Sequence, residues 1–262
     1  MIKAKKSLGQ NFLTDQNIID KIINTIGIQN KSILEIGPGT GNLTQNILKK
    51  KPKKILVIEK DDDLAELLQK SLDKNIKIIN DDILKIDEKK LDKDKLTVFG
   101  NLPYNISTEI LCKWILNIED GEFWFDDLIL MFQKEVADRI IADFNTKNYG
   151  RLSILAKWKL DIKKICDVKP SSFFPKPKID SSVLLLKPKL NFYPIKNSKN
   201  LEKITRVFFM HRRKMLKKPY NQLFNGNHNV ASKLKIDLNL RPQNLNFETY
   251  YKLTEEYEKL RC

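Results

Sequence analysis

The run Ser32-Ile33-Leu34-Glu35-Ile36-Gly37-Pro38-Gly39-Thr40-Gly41-Asn42 passes from a short apolar segment straight into alternating glycines. It reads as a buried strand that turns sharply into a helix spanning about 42–50. Glycines at such a turn let the backbone bend and approach a ligand without interference from a Cβ atom. A dinucleotide-binding fingerprint would carry its third glycine at Asn42, where none stands. The turn is therefore of another kind, and it follows a carboxylate, Glu35.

Outward from this turn, apolar runs at 55–58, 76–79, 96–99 and 128–132 read as further strands. Helical spacing separates them. Asp15 caps a helix bearing Ile18, Ile19, Ile22, Ile23 and Ile26, which Gly27 stops. Residues 61–72 place Leu64, Leu67, Leu68 and Leu72 on one face, with acids in the first turn that suit the helix dipole. Ser107 caps a helix with Ile110, Leu111, Trp114 and Ile115, and 134–143 forms another. Repeated strand–helix alternation predicts an α/β fold, a mostly parallel sheet covered on both faces. After Gly150 the pattern changes. Strand-like segments at 160–168 and 181–187 flank a proline-rich loop, Pro170 to Pro177, as an antiparallel pair at one sheet edge would. Lys187-Pro188-Lys189 and Pro194 mark a boundary, giving domains 1–188 and 189–262, the second built of short helices.

The chain has 262 residues, with 48 Lys plus Arg against 33 Asp plus Glu, a net charge of +15. Such an excess attracts polyanions, nucleic acid first among them, although lysine-rich coding also contributes. No segment is apolar enough to span a bilayer, no basic amphipathic helix suggests membrane binding, and the basic N-terminus is not followed by a signal-peptide core. Three widely spaced cysteines, Cys112, Cys166 and Cys262, argue against a disulfide framework and a zinc site; a reducing cytoplasm is expected. No metal is expected.

Acids and an amide recur where strands end. Glu59 follows the second strand of the series and is placed to accept hydrogen bonds from ribose hydroxyls. Asp82 follows the third, where it can accept from an adenine amine. Either acid alone reads equally as a solvated turn residue; the set, on one sheet edge, reads as a ligand site. Asn101-Leu102-Pro103-Tyr104 follows the fourth. An exocyclic amine is a weak nucleophile because its lone pair is delocalised into the ring. Acceptance of its protons by the Asn101 side-chain oxygen and the Leu102 carbonyl favours a more tetrahedral nitrogen. Pro103 holds the residue before it extended, and Tyr104 offers a flat face to an extruded base. The alternative is an ordinary Asn/Pro turn with a core tyrosine.

The glycine turn resembles the S-adenosylmethionine-binding turn of Rossmann-like class I methyltransferases. With Lys6-Ser7-Leu8-Gly9-Gln10-Asn11-Phe12-Leu13, Gly100 to Thr108, Gln133 to Arg139, Tyr149 to Ser153, Phe173-Phe174-Pro175-Lys176-Pro177-Lys178 and Arg212-Arg213-Lys214, the chain resembles the ribosomal RNA small-subunit adenine dimethyltransferase family, KsgA type. The resemblance implies a Rossmann-like fold with an antiparallel edge strand and a small helical C-terminal domain. It implies that S-adenosylmethionine is the cofactor and that two adjacent adenosines near the 3′ end of 16S rRNA are dimethylated within an assembling ribosomal particle. It makes Glu35, Gly37, Gly39, Gly41, Glu59, Asp82 and Asn101 cofactor contacts, closes Asn11 and Leu13 over the cofactor, and makes one of Phe173 and Phe174 the second aromatic wall around the adenine. Both phenylalanines equally fit a core role. Asp81, where glycine is common in the family, and His211 depart from its pattern.

Arg212, Arg213, Lys214, Lys217 and Lys218 form the densest basic run, read as phosphate contacts or as a solvated helix face. A monomer without an obligate protein partner is expected. Rival readings are a large-subunit rRNA dimethyltransferase of antibiotic-resistance type and a non-catalytic RNA-binding assembly factor.

Overall fold

The computed structural model describes residues 4–5, 8–73, 76–119 and 121–261; Met1 to Lys3, Lys6, Ser7 and Cys262 lie outside the described residues. In chain order the elements are β1 (Phe12–Leu13), α1 (Gln16–Ile23), β2 (Ser32–Ile36), α2 (Asn42–Leu48), β3 (Lys54–Glu59), α3 (Asp62–Ser71), β4 (Lys77–Asn80), β5 (Leu96–Asn101), α4 (Ser107–Leu116), β6 (Phe125–Gln133) and α5 (Lys134–Ile141). There follow α6 (Arg151–Lys159), β7 (Leu160–Val168), β8 (Phe173–Phe174), β9 (Ser181–Pro188), α7 (Ser198–Met210), α8 (Lys217–Phe224), α9 (Asn229–Lys233) and α10 (Phe247–Lys259).

Seven strands form one sheet in the order β4-β3-β2-β5-β6-β9-β7. The first five run parallel, and β9 is antiparallel to β6. Of the pair expected at the edge, β7 is outermost and β9 lies one strand in. Every residue of β2 is buried, as the continuous apolar run of a central parallel strand demands. The chain leaves β2 for its neighbour β3 on one side and reaches β5 on the other, so a crevice opens where the order reverses.

Local chemistry sets the element ends. Asp15 and Asp61 cap α1 and α3 by accepting backbone N–H groups of their first turns. The first helix ends at Ile23 rather than running to Gly27. The Asn24 N–H bonds to the carbonyls of Asp20 and Ile22, closing the helix with a tighter turn, while Ile26 still packs on the core. Ser107 is the first residue of α4 rather than its cap; its hydroxyl donates to the Tyr104 carbonyl at 3.3 Å.

The chain divides into two compact units. One holds Met1–Lys113, Ile118–Ala137 and Asp161–Pro188; the other holds Trp114–Asn117, Asp138–Leu160 and Lys189–Cys262. The expectation of an unbroken domain 1–188 therefore differs from the structure at 114–117 and 138–160. The reason lies in α6, whose Ile154, Leu155, Ala156 and Trp158 are all buried. A helix with so little polar face needs cover on several sides, and α7 and α10 supply it. Within that unit Tyr149 donates to the Leu245 carbonyl at 2.9 Å and Tyr250 to that of Pro242 at 2.7 Å, satisfying buried hydroxyls.

Candidate active site

The glycine turn leaves β2 with Gly37, Gly39 and Gly41 all in the left-handed region, at φ of 64°, 59° and 82°. Gly37 donates its N–H to Ile58 at 2.9 Å, fastening the turn to β3. A Cβ on Gly39 would stand 2.7 Å from the Phe12 ring, so only glycine lets β1 lie this close. Gly41 begins α2 and faces Leu68 and Leu72; unlike Gly37 and Gly39, it does not line the cleft that opens here.

That cleft is lined by residues from four successive sheet edges: Glu35 and the glycine turn, Glu59 and Lys60, Asp81 to Leu84, and Asn101 to Ile106, with 8–13 along one side. Registers place Ile36 beside Ile58 and Gly100, and Glu59 beside Asn80, so these ends converge by strand pairing.

Three carboxylates differ in state. Glu35 is buried, and among the described residues its Oε2 has no hydrogen-bond partner. Burial pushes its carboxyl up to about 8, and the charge of Glu59 adds to the effect. Glu59 is also buried but accepts the N–H groups of Gly39 at 3.2 Å and Asp61 at 3.0 Å; burial raises its pKa and those bonds oppose the rise. Asp82 is held below the usual carboxylate range by Lys60, 2.8 Å away, and accepts the Leu84 N–H at 3.0 Å.

On the opposite wall, Asn101 ends β5, and its amide nitrogen donates to the Asn11 carbonyl at 2.7 Å. That bond fixes the amide's orientation, leaving Oδ1 as the acceptor presented elsewhere. Leu102 is buried, and a Cβ on Gly100 would stand 2.8 Å from its side chain, so the missing side chain at 100 lets the loop turn inward. The Tyr104 hydroxyl meets Ser181 Oγ at 2.6 Å.

Asn11 and Leu13 both line the cleft. Their segment is tied down by Lys5 to Asp61 and Asp63, each at 2.7 Å, by Gln10 to Asp61 at 2.8 Å, and by Asn42 to the Leu13 carbonyl at 2.9 Å. Against the penalty of burial, Lys5 and Gln10 hold the Asp61 carboxyl below its ordinary range. The roles of Gln10, Phe12, Lys60 and Asp61 escaped sequence reasoning. They are ordinary residue types whose partners lie far along the chain, and no local spacing announces them.

Neither Phe173 nor Phe174 lines the cleft. They separate cleanly: Phe173 is 2% exposed within the core, whereas Phe174 is 67% exposed. Strand β8 pairs Phe174 with Phe12 and Phe173 with Leu13, so both sit beside residues that line the cleft, and exposure alone distinguishes them. In the second unit, Arg213, Lys214, Lys217 and Lys218 are exposed around the turn from α7 into α8. Arg212 is half-buried and donates to the Lys147 carbonyl. Among the described residues there is no acid–histidine–cysteine cluster able to hold a metal, and no helix long and apolar enough to cross a membrane.

Residues 1–259 match the sequence model of ribosomal RNA adenine dimethylase. The Ribosomal RNA small subunit methyltransferase A of Pelagibacter ubique (strain HTCC1062) is 66% identical over 260 residues, 99% of either chain. The protein of the same name from Wolbachia sp. subsp. Drosophila simulans (strain wRi) is 42% identical over 270 residues, covering 100% of this chain and 96% of its own. A dimethyladenosine transferase from Plasmodium falciparum superposes with a TM-score of 0.76 at 29% identity, over 95% of this chain and 98% of its own. The 23S rRNA methyltransferase ErmE shares the fold, with a TM-score of 0.66 at 21% identity over 95% of this chain and 100% of its own.

Proposed function

The chain belongs to the ribosomal RNA adenine dimethylase family, and we propose that it dimethylates two adjacent adenosines near the 3′ end of small-subunit rRNA, with S-adenosylmethionine as methyl donor. One observation carries the reading: a single cleft holds an acceptor-rich half at Glu35, Glu59 and Asp82 and an amine-recognising half at Asn101 to Tyr104.

The donor set fits the cofactor. It is rich in acceptors, as an ammonium, two ribose hydroxyls and an adenine amine require, and Lys60, the cation among its lining residues, is paired with Asp82. The unpaired Glu35 Oε2 is an acceptor in need of a donor. We assign Glu35 to the ammonium end, Glu59 to the ribose through lone pairs beyond those used by Gly39 and Asp61, and Asp82 to the adenine amine. When bound, S-adenosylmethionine supplies an electrophilic methyl carbon on a sulfonium.

Asn101 Oδ1 and the Leu102 carbonyl accept the two protons of the target amine and favour a pyramidal nitrogen whose lone pair points at the methyl carbon. Tyr104 stacks on the extruded base from one side, and Phe174 is the aromatic available for the other. The bound donor would supply the methyl group and depart as a neutral thioether, while Asn101 and Leu102 hold the amine until its extra proton passes to water. The rate enhancement comes from holding donor and acceptor in line. The exposed cations Arg213, Lys214, Lys217 and Lys218 contact rRNA phosphates, which supplies affinity rather than base choice.

Small-subunit rRNA is preferred as substrate because the 66% identical relative bears that name, whereas the likeness to ErmE is one of fold. The test is Asn101→Ala assayed on immature small-subunit particles. Methyl transfer is expected to fall at least about a hundredfold, a typical loss when a transition-state hydrogen-bond partner is removed, with particle binding retained. Undiminished turnover overturns the assignment.

A further inference from the structure

We propose that Ser181 is a positioning residue acting through Tyr104, and that the hydrogen bond between them governs whether an adenine leaves with one methyl group or two. The inference rests on the amine chemistry assigned above to Asn101 and Leu102.

A parallel sheet delivers only the ends of its strands to the edge where the cleft lies. The antiparallel strand β9 delivers its beginning instead. Its first residue, Ser181, pairs with Gln133 at the end of β6, while Met131 of β6 pairs with Asn101 of β5. Ser181 is fully buried, and its Oγ lies 2.6 Å from the Tyr104 hydroxyl. Tyr104 lies in the turn that the Ile106 N–H closes on the Pro103 carbonyl at 3.1 Å, between β5 and α4. Ser107 holds its backbone carbonyl at 3.3 Å and Ser181 holds the hydroxyl at the far end of its ring, so the ring's tilt is restrained at the hydroxyl. Burial raises the pKa of the phenol, which favours the neutral form that takes part in this bond.

The two methyl transfers need this tilt unequally. An unmodified adenine offers two N–H groups, one each for Asn101 Oδ1 and the Leu102 carbonyl. After the first transfer one N–H remains, so one acceptor loses its partner. The monomethylated base is then held by one hydrogen bond and by its stacking on Tyr104. A ring free to rock therefore impairs the second transfer more than the first.

The experiment uses the full chain with immature small-subunit particles lacking methylated adenines, and follows monomethyl- and dimethyladenosine by mass spectrometry under single-turnover conditions. Ser181→Ala, which removes a single buried oxygen and introduces no clash, is expected to slow the second transfer about tenfold, as the loss of one hydrogen bond permits. The first transfer should change less than about threefold by the same reckoning, so monomethyladenosine accumulates. Tyr104→Phe breaks the same bond from its partly exposed side and should raise the monomethyl fraction likewise. Adding Ser181→Ala to Tyr104→Phe should then change nothing further, since the partner it acts through is gone. A wild-type product ratio in Ser181→Ala overturns the proposal. So does an equal loss from Ser181→Ala in both backgrounds, which marks a general structural role. Should Ser181→Ala not fold, an unchanged ratio in Tyr104→Phe overturns it and a raised monomethyl fraction supports it. If the wild-type protein itself makes no dimethyladenosine here, the assigned function falls and this inference with it; wild-type dimethylation with unaltered variant ratios removes the inference alone.

Discussion

Replacing Glu35 by glutamine removes a charge from a site where the protein without cofactor disfavours it. The Glu35 carboxyl is fully buried, one of its oxygens is unpartnered among the described residues, and its pKa rises from 4.5 to about 8. The unfolded chain releases this proton near pH 4.5, whereas the folded chain keeps it to about pH 8. Stability from this group is thus fully present below pH 4.5 and is lost as pH rises towards 8. At about 1.4 kcal/mol per tenfold in acidity, the loss is about 3 kcal/mol at pH 7 and levels off near 5 kcal/mol above pH 8. Glu35→Gln has no such proton to lose. Its advantage over the wild type in urea unfolding, cofactor-free, should be small at pH 4.5 and grow to about 3 kcal/mol at pH 7. Binding of cationic S-adenosylmethionine should reverse the balance, because an ionised Glu35 then has a partner. Calorimetry in buffers of different ionisation enthalpy should show release of about 0.9 proton at pH 7 in the wild type and none in Glu35→Gln, which should bind more weakly by at least about tenfold. A stability difference independent of pH, together with no proton release, would refute the claim that Glu35 is neutral in the free protein.

Two further expectations follow from exposure. Phe173→Ala should destabilise the fold by about 3–5 kcal/mol in denaturant unfolding, whereas Phe174→Ala should leave stability unchanged and slow methyl transfer about tenfold by removing a stacking surface. The reverse pattern would assign the base-stacking role to the wrong ring. Reversing charge at Arg213 and Lys214 together should weaken binding to small-subunit rRNA and reduce the slope of log affinity against log salt by about one to two. A slope identical to the wild type would leave those two cations without a phosphate contact.

Much of the cleft was legible because its cues are local. An apolar run ending in Gly37-Pro38-Gly39 states strand and turn together, and the acids fall at strand ends, Glu59 as the last residue of β3 and Asp82 two residues beyond β4, where parallel sheets present ligands. Gly41 belongs to the same left-handed turn but faces Leu68 and Leu72. Its left-handed backbone and its closeness to Leu68 serve packing, and sequence alone does not distinguish a glycine needed by a ligand from one needed by a neighbour. Residues 138–160 were drawn into the first domain because they precede two strands of its sheet, yet the apolar faces of α6 tie them to the C-terminal helices.

The order of strands and helices, the edge at which they converge and the residue types displayed there were set by the sequence, since periodicity, glycine and strand-terminal position act over a few neighbouring residues. Tertiary structure alone decided which phenylalanine is exposed, that burial pushes the Glu35 carboxyl up, and that Asn101 presents its oxygen because its nitrogen is engaged by Asn11, 90 residues away. Each of these depends on burial or on a partner brought close only by folding, and no spacing along the chain encodes it.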